Sequence, residues 1–144
     1  YGANPWALRV LLFEYPVASL PSSSVRLTKL NDGSLVGFGI RFLREDPEQG
    51  IVSRETLGFV PLELFTIRST DGGRSWTEPT NFSPPLENPA FEICHSIVEL
   101  QDGTWLLPTA TAKGWDGSLP AGQQSLVFIS KDLGASWDSY GVTF

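Results

Sequence analysis

The chain has 144 residues, 41% hydrophobic and 12% aromatic, and ten Lys plus Arg against sixteen Asp plus Glu give a net charge of −6. This composition excludes disorder, collagen and coiled coil, and the negative charge removes the long-range attraction that a phosphate backbone requires, so nucleic acid is not an expected partner. Apolar runs are short, as in Val10 to Phe13, which Glu14 closes, so no membrane span is expected. Cys94 is the single cysteine, methionine is absent and residue 1 is Tyr. A nascent chain starts with Met, which leads to the expectation that this is a portion of a longer polypeptide.

In chain order, Trp6 comes first: it stands as far ahead of Asp32 as Trp76 does of Asp102. Ser24 to Leu30, Asp32-Gly33 and Leu35 to Ile40 then form a hairpin signal, because Asp-Gly readily takes the positive φ of tight hairpin turns. After the stretch Leu43 to Phe59 comes an apolar strand, Leu64 to Arg68, and then Ser69-Thr70-Asp71-Gly72-Gly73-Arg74-Ser75-Trp76. The same order recurs: Ile97 to Leu100, Asp102-Gly103, Trp105 to Leu107, the strand Leu126 to Ile129, and Ser130-Lys131-Asp132-Leu133-Gly134-Ala135-Ser136-Trp137. A fourth strand is expected after each octapeptide. The first copy is the longer, and the extra length falls most simply in Leu43 to Phe59, since insertions belong in loops. Pro108 cannot donate to a ladder and predicts a bulge or an early strand end. No segment has helical periodicity. The whole chain, 1–144, therefore reads as one partial all-β domain of four-stranded units, the first repeat about 6–76 and the second about 77–137, as in a β-propeller.

The octapeptide has a structural task. In a turn between the third and fourth strands, Ser69 and Asp71, or Ser130 and Asp132, can accept hydrogen bonds from free backbone N–H groups. Gly73 and Gly134 permit positive φ, and Trp76 and Trp137 are expected to bury their rings against an adjacent sheet.

These two segments resemble the Asp-box, or BNR repeat, of the sialidase (neuraminidase) superfamily, with the hairpin element at the matching place before each. The stretch Glu92 to Gly103, with Leu107-Pro108-Thr109 and Gly114-Trp115-Asp116-Gly117, is also similar to bacterial exo-α-sialidase-like proteins. The resemblance implies a six-bladed propeller to which this chain contributes two blades, a secreted or periplasmic location, a glycan ligand and no cofactor or metal. It implies that the boxes lie on the rim away from the ligand, which meets the loops leading into the innermost strands (Pro21 to Ser24, Phe91 to Ser96) and those joining second to third strands (Arg41 to Phe59, Thr111 to Gln124).

The same resemblance implies three substrate-gripping arginines, a carboxylic acid and a tyrosine nucleophile activated by glutamate. Aligned on the Asp-Gly turns, the first arginine falls on Ser23 or Ile93, neither of which can do its work, and the family glutamate falls on Cys94. Glu92, two residues earlier on the same side of an extended strand, is the candidate catalytic residue. Candidate substrate-binding residues are Arg41, Arg44, Cys94, His95, Lys113, Trp115 and Asp116. Five of these have a plainer reading: Arg41 and Arg44, with Glu45 and Asp46, as a solvated loop, His95 as a satisfied polar residue, Cys94 as an unactivated thiol, and Trp115 as blade packing instead of a sugar-stacking platform. No second His or Cys exists to complete a zinc site beside His95 and Cys94.

The expected function is therefore a sialidase-like glycoside hydrolase, or a portion of one, acting on terminal sialic acid or a related acidic glycan. The alternative is a non-catalytic carbohydrate- or protein-binding propeller segment, since fold does not fix function. Two blades alone leave an apolar face at each end, so the expected partners are the remaining blades of a longer chain or two further copies in a trimer.

Overall fold

The computed structural model describes residues 22–46 and 48–143, which form two antiparallel sheets with no helix among them. The first sheet holds β1 (Ser22–Lys29), β2 (Leu35–Phe42), β3 (Leu62–Ser69) and β4 (Thr80–Phe82) in that order. The second holds β5 (Ala90–Ile93), β7 (Trp105–Ala112), β8 (Ser125–Ser130) and β9 (Ser139–Val142), with β6 (Val98–Glu99) also paired to β7. The expectation placed on Trp6 lies outside the described residues.

The two sheets share one register. Lys29 faces Leu35 as Glu99 faces Trp105, and Leu35 faces Ser69 as Trp105 faces Ser130. The Asp-Gly turns are equally alike: Gly33 has φ 84° and Gly103 φ 83°, and Leu30 N–H reaches Ser34 O at 2.8 Å as Leu100 N–H reaches Thr104 O at 2.8 Å.

The sheets part at their first strand. β1 follows β2 without a break, whereas its counterpart is split, so that residues 94–97 bulge out opposite Leu107 and Pro108. Pro108 does not end its own strand, as the sequence had allowed; β7 runs on to Ala112, and the partner strand departs beside the residue that has no N–H to give. The extra residues also shift the alignment made on the turns. Ser23 faces Arg41, and the equivalent place opposite Thr111 belongs to Phe91, not Ile93. Phe91 and Glu92 lie within β5, where a loop running to Ser96 was expected.

Alternation along β2 sends Val36, Phe38, Ile40 and Phe42 to one face, where they join Leu64 of β3. Against them the second sheet sets Phe91, Ile97, Trp105, Leu107, Leu126 and Phe128, forming one core between the sheets. Phe38, Leu107 and Phe128 have no exposed surface; each such side chain stabilises the fold by roughly 1.5–3 kcal/mol. Phe82 of β4 lies 5.2 Å from the ring of Trp137, and Phe91 meets Phe128 edge-on at 5.3 Å. Polar bonds also cross: Thr28 Oγ1 donates to Ile97 O at 2.6 Å, and Glu99 accepts from Asn31 N–H at 2.6 Å.

Candidate functional site

In a sheet ordered β1-β2-β3-β4, the β1–β2 and β3–β4 turns share one end and the β2–β3 loop lies at the other. The octapeptide turns thus stand at the opposite end from the long loops, residues 43–61 and 113–124.

Each octapeptide is a closed hydrogen-bonded turn. Asp71 Oδ1 accepts from the N–H groups of Arg74 and Ser75, both at 2.9 Å, and from Ser69 Oγ at 2.8 Å, while Oδ2 takes Ser75 Oγ at 2.6 Å. Asp132 repeats this with Ser136 N–H at 2.8 Å, Ser130 Oγ at 2.8 Å and Ser136 Oγ at 2.6 Å. In both, the first Ser hydroxyl accepts the glycine N–H, Gly73 or Gly134, at 2.9 Å. Donors crowded round a carboxylate favour its charged form. The Ser136 hydroxyl, then its N–H, then Ser130 bring Asp132 down to about 2, and the Ser75 hydroxyl and N–H, then Ser69, hold Asp71 well below the usual range. The bonds named for each carboxylate thus lie within its own turn. The tryptophans differ: Trp137 is buried, whereas Trp76 is only half-buried and donates its indole N–H to Gly73 O at 3.2 Å. The expected burial is met in the second copy and only in part in the first.

At the other end the long loops of the two sheets are clasped together. Phe59 N–H donates to Lys113 O at 2.9 Å, Phe59 bridges Gly114, and Thr56 Oγ1 donates to Trp115 O at 2.8 Å. Lys113 Nζ reaches Thr56 O at 3.4 Å. Gly58 must be glycine, because a Cβ there would run into the main chain of Gly114. Within the first loop Val52 bridges Phe59, giving the added length a small hairpin of its own.

The expected site residues fall into three groups. Glu92 is exposed on β5 at the junction of the sheets, at a cleft of about 340 Å³ lined by Ser24, Ile40, Phe42, Phe59, Phe91 and Ile93. Cys94 and His95 lie in the bulge, both exposed, beside Val25, Arg26 and Leu27 of β1. Partial desolvation by its neighbours, then the charge of Glu92, pushes the Cys94 thiol up, the reverse of what a nucleophile needs. His95 Nδ1 lies 3.0 Å from Ser96 O.

Arg44 and Trp115 line a second cleft, about 440 Å³, with Leu43, Glu45, Gln49 and Pro61. Lys113 and Asp116 belong to the same turn as Trp115, but the Asp116 carboxylate accepts Ser118 N–H at 2.9 Å and Ser118 Oγ at 2.6 Å, bonds that lower its pKa. Arg41 is occupied too: it pairs with Glu63 at 2.9 Å, directly across the strands, and stacks 5.3 Å above the ring of Phe65. The cross-strand Glu63 was missed because only the register shows it to be opposite Arg41. Tyr140 stands on β9, at the far side of the second sheet from β5; Tyr1 and Tyr15 lie outside the described residues. Among the described residues no group of three His, Cys, Asp or Glu side chains is placed to hold a metal, and no helix is long and apolar enough to cross a membrane.

No family model matches the chain, and no curated protein does. Solved structures do. A Hadza microbial sialidase, Hz136, superposes with a TM-score of 0.53 at 19% identity over 80% of this chain and 22% of its own. A protein of unknown function from Dyadobacter fermentans DSM 18053 superposes with a TM-score of 0.56 at 22% identity over 90% of this chain and 38% of its own. At these identities the likeness is one of fold, and the chain spans well under half the length of either structure.

Proposed function

We propose that this chain is a two-blade segment of a sialidase-like β-propeller that acts on terminal sialic acid or a related acidic glycan. The observation that carries the reading is the repetition itself: two sheets of one register, each closed by a Ser-x-Asp-x-Gly-x-Ser-Trp turn with nearly the same hydrogen bonds, in an arrangement that also superposes on a sialidase. The apolar residues on the outer face of the second sheet, Leu106, Pro108, Val127 and Ile129, are half-buried and are where a further blade is placed, whether from a longer chain or from another copy. In this reading the ligand lies at the long-loop end, and Glu92, beside the apolar walls of Phe42, Phe59 and Phe91, is the carboxylate that takes part in catalysis.

A second reading, a propeller segment that binds glycan or protein without turnover, is favoured by one observation. Arg41, one of the two arginines expected to grip an acidic sugar, is already engaged by Glu63. The two readings separate in an assay with a fluorogenic α-sialoside. Release of the fluorophore that falls at least about tenfold in Glu92→Gln, with an unchanged melting temperature, supports catalysis through Glu92, since acid–base groups contribute about 10²–10⁴-fold. Turnover equal in both proteins dismisses Glu92. Saturable binding of the sialoside with no release supports the second reading.

A further inference from the structure

The cleft between the two long loops is built as a platform. Trp115 is 40% exposed, yet its backbone is held on several sides: Thr56 Oγ1 bonds its carbonyl at 2.8 Å, Gly114 N–H reaches Ser118 O at 3.0 Å, and Gly117, with φ 85°, closes the turn by donating to Gly114 O at 2.8 Å. The turn is further tied to the first loop by the Phe59 to Lys113 bond. A large apolar ring kept in water on a fixed backbone has little conformational freedom left to lose when something stacks on it.

The rest of the cleft specifies what stacks. Leu43, itself 40% exposed, and Pro61 extend the apolar floor, while Arg44, Glu45 and Gln49 supply polar groups around it. Arg44 is anchored by Nη1 donating to Gln49 O at 3.1 Å. Arginine only donates, ionised glutamate only accepts, and the glutamine amide does both. Such a mixture suits hydroxyl groups, each of which donates and accepts. A phosphate or carboxylate meets the Glu45 charge, and a cation meets Arg44. A molecule with one flat C–H face and a rim of hydroxyls fits both parts of the cleft.

We propose that this cleft binds a neutral hexopyranose, with the ring stacked on Trp115 and its hydroxyls bonded to Glu45 and Gln49, at a place separate from the Glu92 cleft. The proposal rests on the glycan reading only in taking the ligand to be a sugar; it does not depend on Glu92 acting as a catalyst. The test is saturation-transfer NMR on the 144-residue protein with lactose as probe, in wild type, Trp115→Ala, Trp115→Phe and Glu45→Ala, with circular dichroism to show that each is folded. Expected is saturation transfer to the C–H protons of one lactose ring, affinity weakened about tenfold or more in Trp115→Ala and severalfold in Glu45→Ala, and near wild-type binding in Trp115→Phe, which keeps an aromatic face.

Lactose binding that is unchanged in Trp115→Ala overturns the platform. So does no lactose binding by a folded wild type, and so does a proline-rich peptide that binds through Trp115 while lactose does not. Parallel titration with a sialoside keeps the two proposals apart. Sialoside bound without lactose leaves the glycan reading standing and removes this subsite, whereas lactose bound without sialoside does the opposite.

Discussion

The inner face of the first sheet and the outer face of the second occupy equivalent positions and meet opposite surroundings. Val36, Phe38 and Ile40 are at most 2% exposed because Trp105, Leu107 and Phe128 lie over them. Their counterparts by register, Leu106, Pro108 and Ala110, are half-buried, and beside them Val127 and Ile129 keep the surface apolar. The two Asp turns differ in the same sense. Their hydrogen bonds are nearly identical, so the turn is a local property of Ser, Asp, Gly and Ser at their spacing. The burial of the tryptophan is not local, because Trp137 has Phe82 of the preceding sheet to rest on and Trp76 has no counterpart among the described residues. Closure of the turn comes from the repeat; burial comes from the neighbour.

If that division holds, Phe38→Ala removes a filled position between the sheets and lowers the unfolding free energy by about 3–5 kcal/mol in urea denaturation, whereas Val127→Ala on the outer face loses about 1 kcal/mol or less. Equal losses would break the comparison. Trp137→Ala should come next at about 3 kcal/mol, with Trp76→Ala nearer 1 kcal/mol, read from the same denaturation curves. Gly134→Ala sharpens the contrast further. A Cβ there would stand 2.7 Å from the Trp105 ring at φ 86°, while at Gly73, φ 88°, it meets nothing nearer than the Leu35 side chain at 3.4 Å and the Trp76 ring at 3.7 Å. The same left-handed strain acts at both, so the overpacking of about 1–3 kcal/mol should appear at Gly134 alone.

The turns themselves should behave as a pair. Asp71→Ala and Asp132→Ala are each expected to lower the melting temperature, and an unchanged Tm in either would separate the turn from the fold. The pH dependence follows from the depressed carboxyls. Their stabilisation is fully present above the unfolded value near 3.8 and is lost as pH falls toward the folded value, about 2 for Asp132. Thermal melts taken between pH 5 and pH 2 should show Tm falling more steeply in wild type than in the Asp71→Ala, Asp132→Ala double variant.

Much of the scaffold was legible because its signals are short-range: Asp-Gly marks the hairpins, and Ser-x-Asp-x-Gly-x-Ser-Trp marks the turns. The position of the long loop was readable for the same reason, as added length between two matched strands. The bulge at residues 94–97 was not, since two extra residues leave no signature of their own; Pro108 hinted at it but from the neighbouring strand. The candidate site was legible as a list of residues and not as an arrangement. Arg41 was expected in the loop that follows its strand, but it lies within β2, where register sets Glu63 opposite it, and the commitment of Asp116 to Ser118 is fixed by the turn around Gly117. Trp115 carried two readings in the sequence, blade packing and a sugar platform, and the platform is the one proposed above.

The main-chain clasp between the long loops bears on how such loops can be exchanged. Because Gly58 and Phe59 of one meet Lys113 and Gly114 of the other backbone to backbone, neither loop is an independent module. A loop grafted from a relative carries its shape across only if the recipient keeps the glycine and the paired carbonyl of the neighbouring repeat. The Val52 to Phe59 hairpin is itself part of the clasp, since Thr56 and Phe59 both bond the other loop. Recombination at this end of the fold is therefore expected to move the two loops together, and libraries that vary them jointly while holding residues 58–59 and 113–114 constant should retain far more folded members than libraries that vary either one across the clasp.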